Sequence, residues 1–148
     1  MENIKILEEE LDELQMKLQI IKKKSMTEEC FLHSGEMLVI KFIAKYHYKY
    51  GTAPTLVKAS QEIGISGATV TTLVDRLIKK GLIEKEASAD DKRSKILSLT
   101  KKGKEYLMLN RSRTKERLSK VIASIGKKDT KELSRIIKKI NNQLDNIE

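Results

Sequence analysis

The segment formed by residues 59–93 constrains the fold of this chain more than any other part of the sequence. Ahead of it, Thr55 is expected to cap a short helix that ends at Ile63. Gly64 suits the left-handed backbone of a tight turn, and Ser66 is placed to cap a second helix that runs to Lys80. The order helix, tight turn, helix is typical of proteins that place the second helix in a groove of DNA.

The second helix is predicted to have two different sides. Its large apolar residues recur at helical spacing and are expected to face a core, and they are Val70, Leu73, Val74 and Leu77. Its other side bears small and hydroxyl residues, which suit close approach to a groove. Gly81 ends the helix, and two strands at 82–87 and 95–99 follow, with a polar turn at 90–93 between them.

The remaining sequence predicts four further helices, two before this unit and two after it. Apolar residues from Ile4 to Ile21 recur at the coiled-coil period, and this first helix should end near Lys22, Lys23 and Lys24. Ser34 is expected to cap the next helix, which ends at Gly51 ahead of Pro54. The inward side of that helix is predicted to be Leu38, Phe42, Ile43 and Tyr46.

Two helices are predicted after the strands. Thr100 starts a long helix that ends at about Ile125, and its polar middle at 110–117 is expected to avoid deep burial. A last helix is predicted over 128–147, with one apolar stripe. Neither end helix can bury its apolar side alone, so we predict a two-fold homodimer joined by the N- and C-terminal helices. The alternative is that both helices pack on the core of their own chain.

Composition narrows the classes of function. The chain has 30 Lys and Arg against 21 Asp and Glu, a net charge of +9 that suits nucleic acid or another anionic surface. The single cysteine, Cys30, excludes an intrachain disulfide and is compatible with a reducing compartment. No apolar run approaches the roughly 20 residues that span a bilayer, so a cytoplasmic protein without membrane contact is expected. The sequence contains no catalytic constellation, so we expect no enzyme and no cofactor.

Several motifs together resemble the MarR family of winged helix-turn-helix regulators. They are SGEMLVIKFI at 34–43, the helix pair at 55–81, GLIEK at 81–85, DDKR at 90–93 and LTKKG at 99–103. The resemblance implies a mainly α fold with a small β-wing, a homodimer, palindromic DNA and transcriptional control, often relieved by a small ligand or an oxidant. The implied division is a dimerisation helix and connection at 1–33, a DNA-binding domain at 34–103 and further dimerisation helices at 104–148.

The candidate DNA contacts lie on the helix pair and on the wing. Hydroxyls can bond to phosphates or base edges, and threonine methyls can contact thymine methyls. A short side chain such as Gly67 or Ala68 permits close approach but offers little direct readout, so part of the specificity is expected to come from DNA shape. The candidates are Thr55, Ser66, Gly67, Ala68, Thr69, Thr71, Thr72, Arg76, Lys92, Arg93 and Lys95. The alternative for Ser66 and Thr69 is capping alone, and Lys79 and Lys80 are either phosphate contacts or only a cationic helix end.

Arg93 is the strongest single candidate. By the resemblance, it enters the minor groove from the wing and is oriented by Asp91. A narrow groove concentrates negative potential, which attracts a guanidinium. Two residues apart in extended chain, the two side chains would project to the same side and could pair. The alternatives are an ordinary charged turn and, for the whole protein, a winged-helix protein-interaction module that does not bind DNA.

Regulatory sites are less well defined by the sequence. By the resemblance, Tyr46, His47 and Tyr50 are candidates for lining a cavity that binds a small aromatic acid, and the alternative is that they are only packing residues. The resemblance also makes Cys30 a candidate redox sensor, whereas its neighbours Glu28 and Glu29 disfavour a reactive thiolate and favour an inert thiol. Cys30, His33 and Glu36 are too few to predict a metal site.

Overall fold

The computed structural model describes residues 1–24 and 31–147. Within these ranges the order is helix, helix, helix, helix, hairpin, helix, helix, as predicted. The elements are α1 (Glu2–Lys24), α2 (Ser34–Tyr50), α3 (Leu56–Ile63), α4 (Gly67–Lys79), β1 (Ile83–Ala87), β2 (Lys95–Leu99), α5 (Lys101–Ile125) and α6 (Lys127–Leu144).

The α3–α4 pair forms as its local signals predict. The Thr55 hydroxyl accepts a hydrogen bond from the N–H of Lys58 at 3.0 Å. Gly64 lies in the left-handed region at φ 75°, where a side chain would be strained, and this turns the chain between the helices. The Ser66 hydroxyl then accepts from the N–H of Thr69 at 3.2 Å and caps α4.

Among the described residues, one hydrophobic core lies beneath α4. The four residues predicted on its inward side, Val70, Leu73, Val74 and Leu77, are all buried. The other core residues come mainly from α2 and the hairpin, and they are Leu32, Met37, Val39, Ile40, Ile43, Ala59, Leu82, Ile83 and Leu97. Burial of such side chains contributes about 1.5–3 kcal/mol each relative to exposure, so this core fixes the orientation of α4.

The two strands form an antiparallel hairpin, with Ile83 paired to Leu99 and Ala87 paired to Lys95. The base of the hairpin is tied to the chain ahead of α3, because the Leu97 N–H donates to the Pro54 carbonyl at 2.9 Å. A β-bridge between Thr55 and Ile96 adds to this link. The hairpin therefore projects from a fixed base as a wing.

Gly103 permits a close contact between α5 and the start of the wing. A Cβ atom at this position would lie 2.0 Å from the carbonyl oxygen of Leu82. The Thr100 hydroxyl caps α5 by accepting from the Gly103 N–H at 3.0 Å and donates to the Gly81 carbonyl at 2.6 Å. The LTKKG motif thus joins the end of the wing to the end of α4.

The predictions for α2 were partly wrong. Its N-cap is His33 rather than Ser34, and the Glu36 carboxylate accepts from the His33 N–H at 3.2 Å. The buried apolar side consists of Met37, Val39, Ile40 and Ile43, whereas the predicted Leu38 is 49% exposed and Phe42 and Tyr46 are only half-buried. The reason is that α2 packs against α3, α4 and β2 together, which a single-stripe pattern does not anticipate.

Asn110 is a second exception. It was expected to avoid burial with the rest of the polar middle of α5, but it is 8% exposed. Its backbone carbonyl accepts from the Thr114 hydroxyl at 2.9 Å, one turn further along the helix.

The predicted end of the last helix also differs from the structure, because α6 ends at Leu144 rather than at Ile147.

The apolar sides of the end helices are exposed in the single chain. No described residue of α1 or α6 is buried. Leu11 and Leu14 on α1 are 54% and 53% exposed, and Ile140 on α6 is 51% exposed. Among the described helices, none combines the length and the apolar character required to cross a membrane.

Candidate nucleic-acid interface

The N-terminal turn of α4 presents small side chains to solvent. Ser66, Gly67, Ala68 and Thr69 are all exposed. No atom lies within 4 Å of the position that a Cβ on Gly67 would take. The positive end of the helix dipole is located here, so this turn is suited to approach a phosphate or a base edge.

The hydroxyl groups of this face are largely engaged as donors within the helix. Thr71 Oγ1 donates to the Gly67 carbonyl at 2.9 Å, and Thr72 Oγ1 donates to the Ala68 carbonyl at 3.1 Å. Ser66 Oγ and Thr69 Oγ1 lie 2.8 Å apart and share a hydrogen bond. Hydroxyl oxygens retain acceptor capacity and threonine retains its methyl group, so base amino groups and thymine methyls are the partners that this face suits best.

The wing tip is organised by Asp91, but not in the way predicted. Its Oδ1 accepts from the backbone N–H of Arg93 at 2.9 Å, and its carbonyl accepts from the Ser94 N–H at 3.0 Å. The chain turns here instead of running extended, so the expected pairing of the two side chains does not form among the described residues. Asp91 therefore holds the backbone of Arg93, and the guanidinium is exposed.

Arg93 is accompanied by two further cations on the wing. Lys92 and Lys95 are both exposed. Behind them, Lys85 on β1 contacts Asp75 on α4, with 3.4 Å between Nζ and Oδ1. This ion pair links the wing to α4, and Arg76, the next residue after Asp75, is exposed.

Thr55 occupies a different environment from the other candidates. It is half-buried, its hydroxyl caps α3 and its backbone bridges to β2. Its role as a DNA contact stays a prediction.

Lys80 is turned toward the protein and away from the exposed side of α4. Its Nζ lies 2.7 Å from Oε2 of Glu36, a residue that is 1% exposed. From the sequence, Glu36 was considered only with Cys30 and His33 as a set too small for a metal site, and this contact was not predicted. The two residues are 44 positions apart, so local spacing contains no signal for it.

The predicted ligand-pocket residues lie in two settings within the described part of the chain, and their role in binding a ligand stays a prediction. Tyr46 stacks on Tyr50 and on Phe42, with ring centroids 4.5 Å and 5.7 Å apart. His47 lines a cavity of about 170 Å³ between α2, β2 and α5, and the two tyrosines are not among its lining residues. Cys30 lies outside the described residues, and within those residues no cluster of three metal-ligating side chains occurs.

A larger groove of about 720 Å³ lies between α2 and α5. Cationic side chains line it together with an apolar floor and the buried Asn110. The cations are Lys41, Lys45, Arg111 and Lys115, and the apolar residues include Leu107, Leu118 and Ile122. The sequence analysis did not identify this groove, although the i, i+4 spacing of the cations on each helix was a signal for it.

Comparison with known proteins agrees with this geometry. Residues 52–94, which span the α3–α4 pair and the wing, match the MarR family. The chain is 26% identical over 88 residues to the uncharacterized HTH-type transcriptional regulator YhbI of Bacillus subtilis, covering 60% of this chain and 57% of that protein. It is 35% identical over 74 residues to the uncharacterized HTH-type transcriptional regulator SAV2265 of Staphylococcus aureus, covering 50% of this chain and 47% of that protein. The matches thus span about half the length of these relatives.

The fold extends the likeness beyond the matched segment. The crystal structure of Streptococcus pneumoniae FabT in complex with DNA superposes with a TM-score of 0.79 at 24% identity, covering 96% of this chain and 97% of that one. The α3–α4 pair and the wing thus match the MarR family over residues 52–94, and nearly the whole chain has the winged-helix fold of this structure.

Proposed function

We propose that this protein is a dimeric transcriptional regulator that binds specific DNA sequences and is not an enzyme. The observation that carries the proposal is the N-terminal turn of α4, which is exposed, small and rich in hydroxyl acceptors, above a face that is fully packed. Such a helix can enter a major groove while its core contacts fix its orientation. The relatives in Bacillus subtilis and Staphylococcus aureus are named as HTH-type transcriptional regulators, and this supports the proposed function.

The wing supplies the second contact of the proposal. Arg93 would enter the minor groove next to the major groove that receives α4, with its backbone held by Asp91. Lys92 and Lys95 would contact phosphates on either side. A neutral wing would suffice for a module that binds only proteins, so the basic tip favours DNA.

The exposed apolar sides of α1, the end of α5 and α6 support the proposed dimer. Leu118, Val121 and Ile125 on α5 are exposed together with the stripes of α1 and α6. A second copy that covers these surfaces would place two α4 helices at half-sites about one turn of DNA apart, so the operator would be a palindrome.

Regulation by a small ligand forms the finer part of the proposal. The groove between α2 and α5 combines an apolar floor with a cationic rim, which suits a small aromatic or aliphatic acid. Because the groove lies between the DNA-binding helices and α5, a ligand there would alter the distance between the two α4 helices. We propose that the protein represses genes in the cytoplasm and is released from DNA by such an acid.

The test is selection of bound duplexes from a random pool, followed by titration of the selected duplex and of a scrambled duplex of the same composition. The proposal expects an inverted repeat to be enriched and to bind about a thousandfold more tightly than the scrambled duplex. Equal affinity for both duplexes would refute sequence-specific binding. Addition of benzoate-class acids to the same titration tests release, with an uncharged amide of the same shape as the control.

A further inference from the structure

The C-terminal end of α4 is held by contacts that the proposed DNA interface does not explain. On one side, Nζ of Lys80 donates to Oε2 of Glu36 at 2.7 Å and to the carbonyl of Phe31 at 3.4 Å. On the other side, Nζ of Lys102 donates to the carbonyl of Lys80 at 2.9 Å. One residue, Lys80, therefore joins α4 to the start of α2 and to the start of α5.

Glu36 is well suited to hold a neighbour in one geometry. Its side chain is 2% exposed, and the same oxygen accepts from both Lys80 and the His33 N–H. A buried carboxylate must retain its partners, because an unpaired charge in the interior is costly. The Lys80 side chain is 33% exposed, so only the carboxylate side of the pair is buried. A buried ion pair by itself is weak evidence for stabilisation, so its contribution to position has to be tested separately from its contribution to stability.

We infer that Glu36 is a positioning residue for DNA recognition, acting through Lys80 to fix the angle at which α4 leaves the core. This inference rests on the proposed function. Because α4 is a rigid element, a small rotation at its C-terminal end displaces Gly67 and Ala68 at the other end. The Glu36–Lys80 pair thus sets how the N-terminal turn of α4 meets the bases, without touching DNA itself.

The sign of the change in DNA affinity separates a positioning role of Glu36 from a purely electrostatic effect. Glu36→Gln removes a negative charge from a basic protein, and electrostatics alone would strengthen its binding to every duplex. Loss of position would have the opposite sign, and it would weaken the selected duplex and not the scrambled one. The two explanations therefore predict opposite changes for one conservative substitution.

The experiment measures the affinities of wild type and Glu36→Gln for the selected and the scrambled duplex at one salt concentration. We expect the affinity of the variant for the selected duplex to fall about tenfold, which corresponds to 1.4 kcal/mol. Its affinity for the scrambled duplex should stay the same or rise. The matched control is Lys79→Met, which removes an exposed charge one residue away and should lower both affinities in the same proportion.

Hydrogen exchange of the free protein provides a readout that does not depend on DNA. In Glu36→Gln, the amides of residues 77–81 should exchange faster than in wild type, while those of Lys79→Met should not. If Glu36→Gln does not fold, Lys102→Met breaks the opposite contact at an exposed position, and it should lower the affinity for the selected duplex by a larger factor than the affinity for the scrambled duplex.

Two results would overturn the inference: a folded Glu36→Gln protein that binds the selected duplex as tightly as wild type, or unchanged exchange at 77–81. If wild type itself fails to distinguish the duplexes, the proposed function is wrong. Hydrogen exchange still decides in that case whether Glu36 fixes the end of α4.

Discussion

Asp91 and Arg93 show how single residues shape the tip of the wing, since one holds the turn and the other bears an exposed charge. The Asp91 carboxylate accepts a hydrogen bond from the backbone N–H of Arg93, which ties the backbone of the turn at the residue that bears the exposed guanidinium. Sequence reasoning identified both residues but assumed extended chain between them. The turn at 90–93 replaces side-chain pairing with a side-chain to backbone bond, which is the usual behaviour of Asp in turns.

Replacement of Arg93 tests the wing. Arg93→Ala should weaken binding to the selected duplex by about 1–3 kcal/mol, because a guanidinium in a narrow groove is lost. Its melting temperature should stay that of wild type, since the side chain is exposed. Lys92→Ala is the control and should reduce specific and non-specific affinity alike. An Arg93→Ala protein with wild-type affinity would exclude the wing from the interface.

Substitution by alanine should have opposite effects on stability at Gly103 and at Gly67. Gly103→Ala would bring a Cβ to 2.0 Å from the Leu82 carbonyl, so the free energy of unfolding should fall by about 1–3 kcal/mol. Gly67→Ala meets no atom within 4 Å and should leave stability unchanged or raise it, yet it should weaken DNA binding by enlarging the exposed face of α4. Denaturant unfolding and duplex titration of both variants check this. A stable Gly103→Ala protein would contradict the close contact.

At the scale of elements, α4 and α2 differ in how much the sequence could predict. For α4, a cap, an apolar period and a terminating glycine agree, and all four inward residues are buried as expected. For α2, the buried side includes Glu36, which hydropathy places outside. That burial depends on Lys80, so only the tertiary structure reveals it. The exposure predicted for Asn110 on α5 was wrong for a similar reason, because the prediction was based on polarity alone.

The N-terminus of α4 allows stability and DNA binding to be separated. Ser66→Ala removes the cap and should lower the free energy of unfolding by about 1 kcal/mol. Ser66→Asp keeps a capping acceptor and a favourable charge at the helix N-terminus, so stability should be retained. The same carboxylate repels phosphate, so binding to every duplex should be greatly reduced.

Thermal unfolding and titration of the two Ser66 variants provide the comparison. Retained DNA binding in Ser66→Asp would place the N-terminal turn of α4 away from the DNA backbone. Equal stability of Ser66→Ala and wild type would mean that the hydrogen bond to Thr69 contributes little.

For the whole molecule, the apolar sides of the end helices are exposed in one chain, and we propose that a second copy covers them. The coiled-coil period of α1 predicted this seam from the sequence, and the helix forms over Glu2–Lys24 with its apolar residues exposed. The assembly that covers them, and the division of the chain at 33 and 103, stay predictions. They depend on contacts between copies, which the pattern of one sequence does not specify.

Substitution within the α1 seam tests the dimer. Leu11→Lys or Leu14→Lys should convert the dimer to a monomer, because a charge would replace an apolar contact at the centre of the interface. The melting temperature of wild type should rise with protein concentration, and that of the variants should not. Lys5→Glu changes a charge at a position outside the seam and serves as the control. Sedimentation velocity measures the masses.

The stoichiometry and selectivity of DNA binding decide whether the protein binds specific DNA sequences as a dimer. Wild-type protein is titrated into the selected duplex, and the mass of the complex is measured by sedimentation at several salt concentrations. We expect two chains on each duplex and an affinity that falls steeply with salt as counterions are released. One chain on each duplex, or equal binding to a scrambled duplex, would rule out specific binding by a dimer.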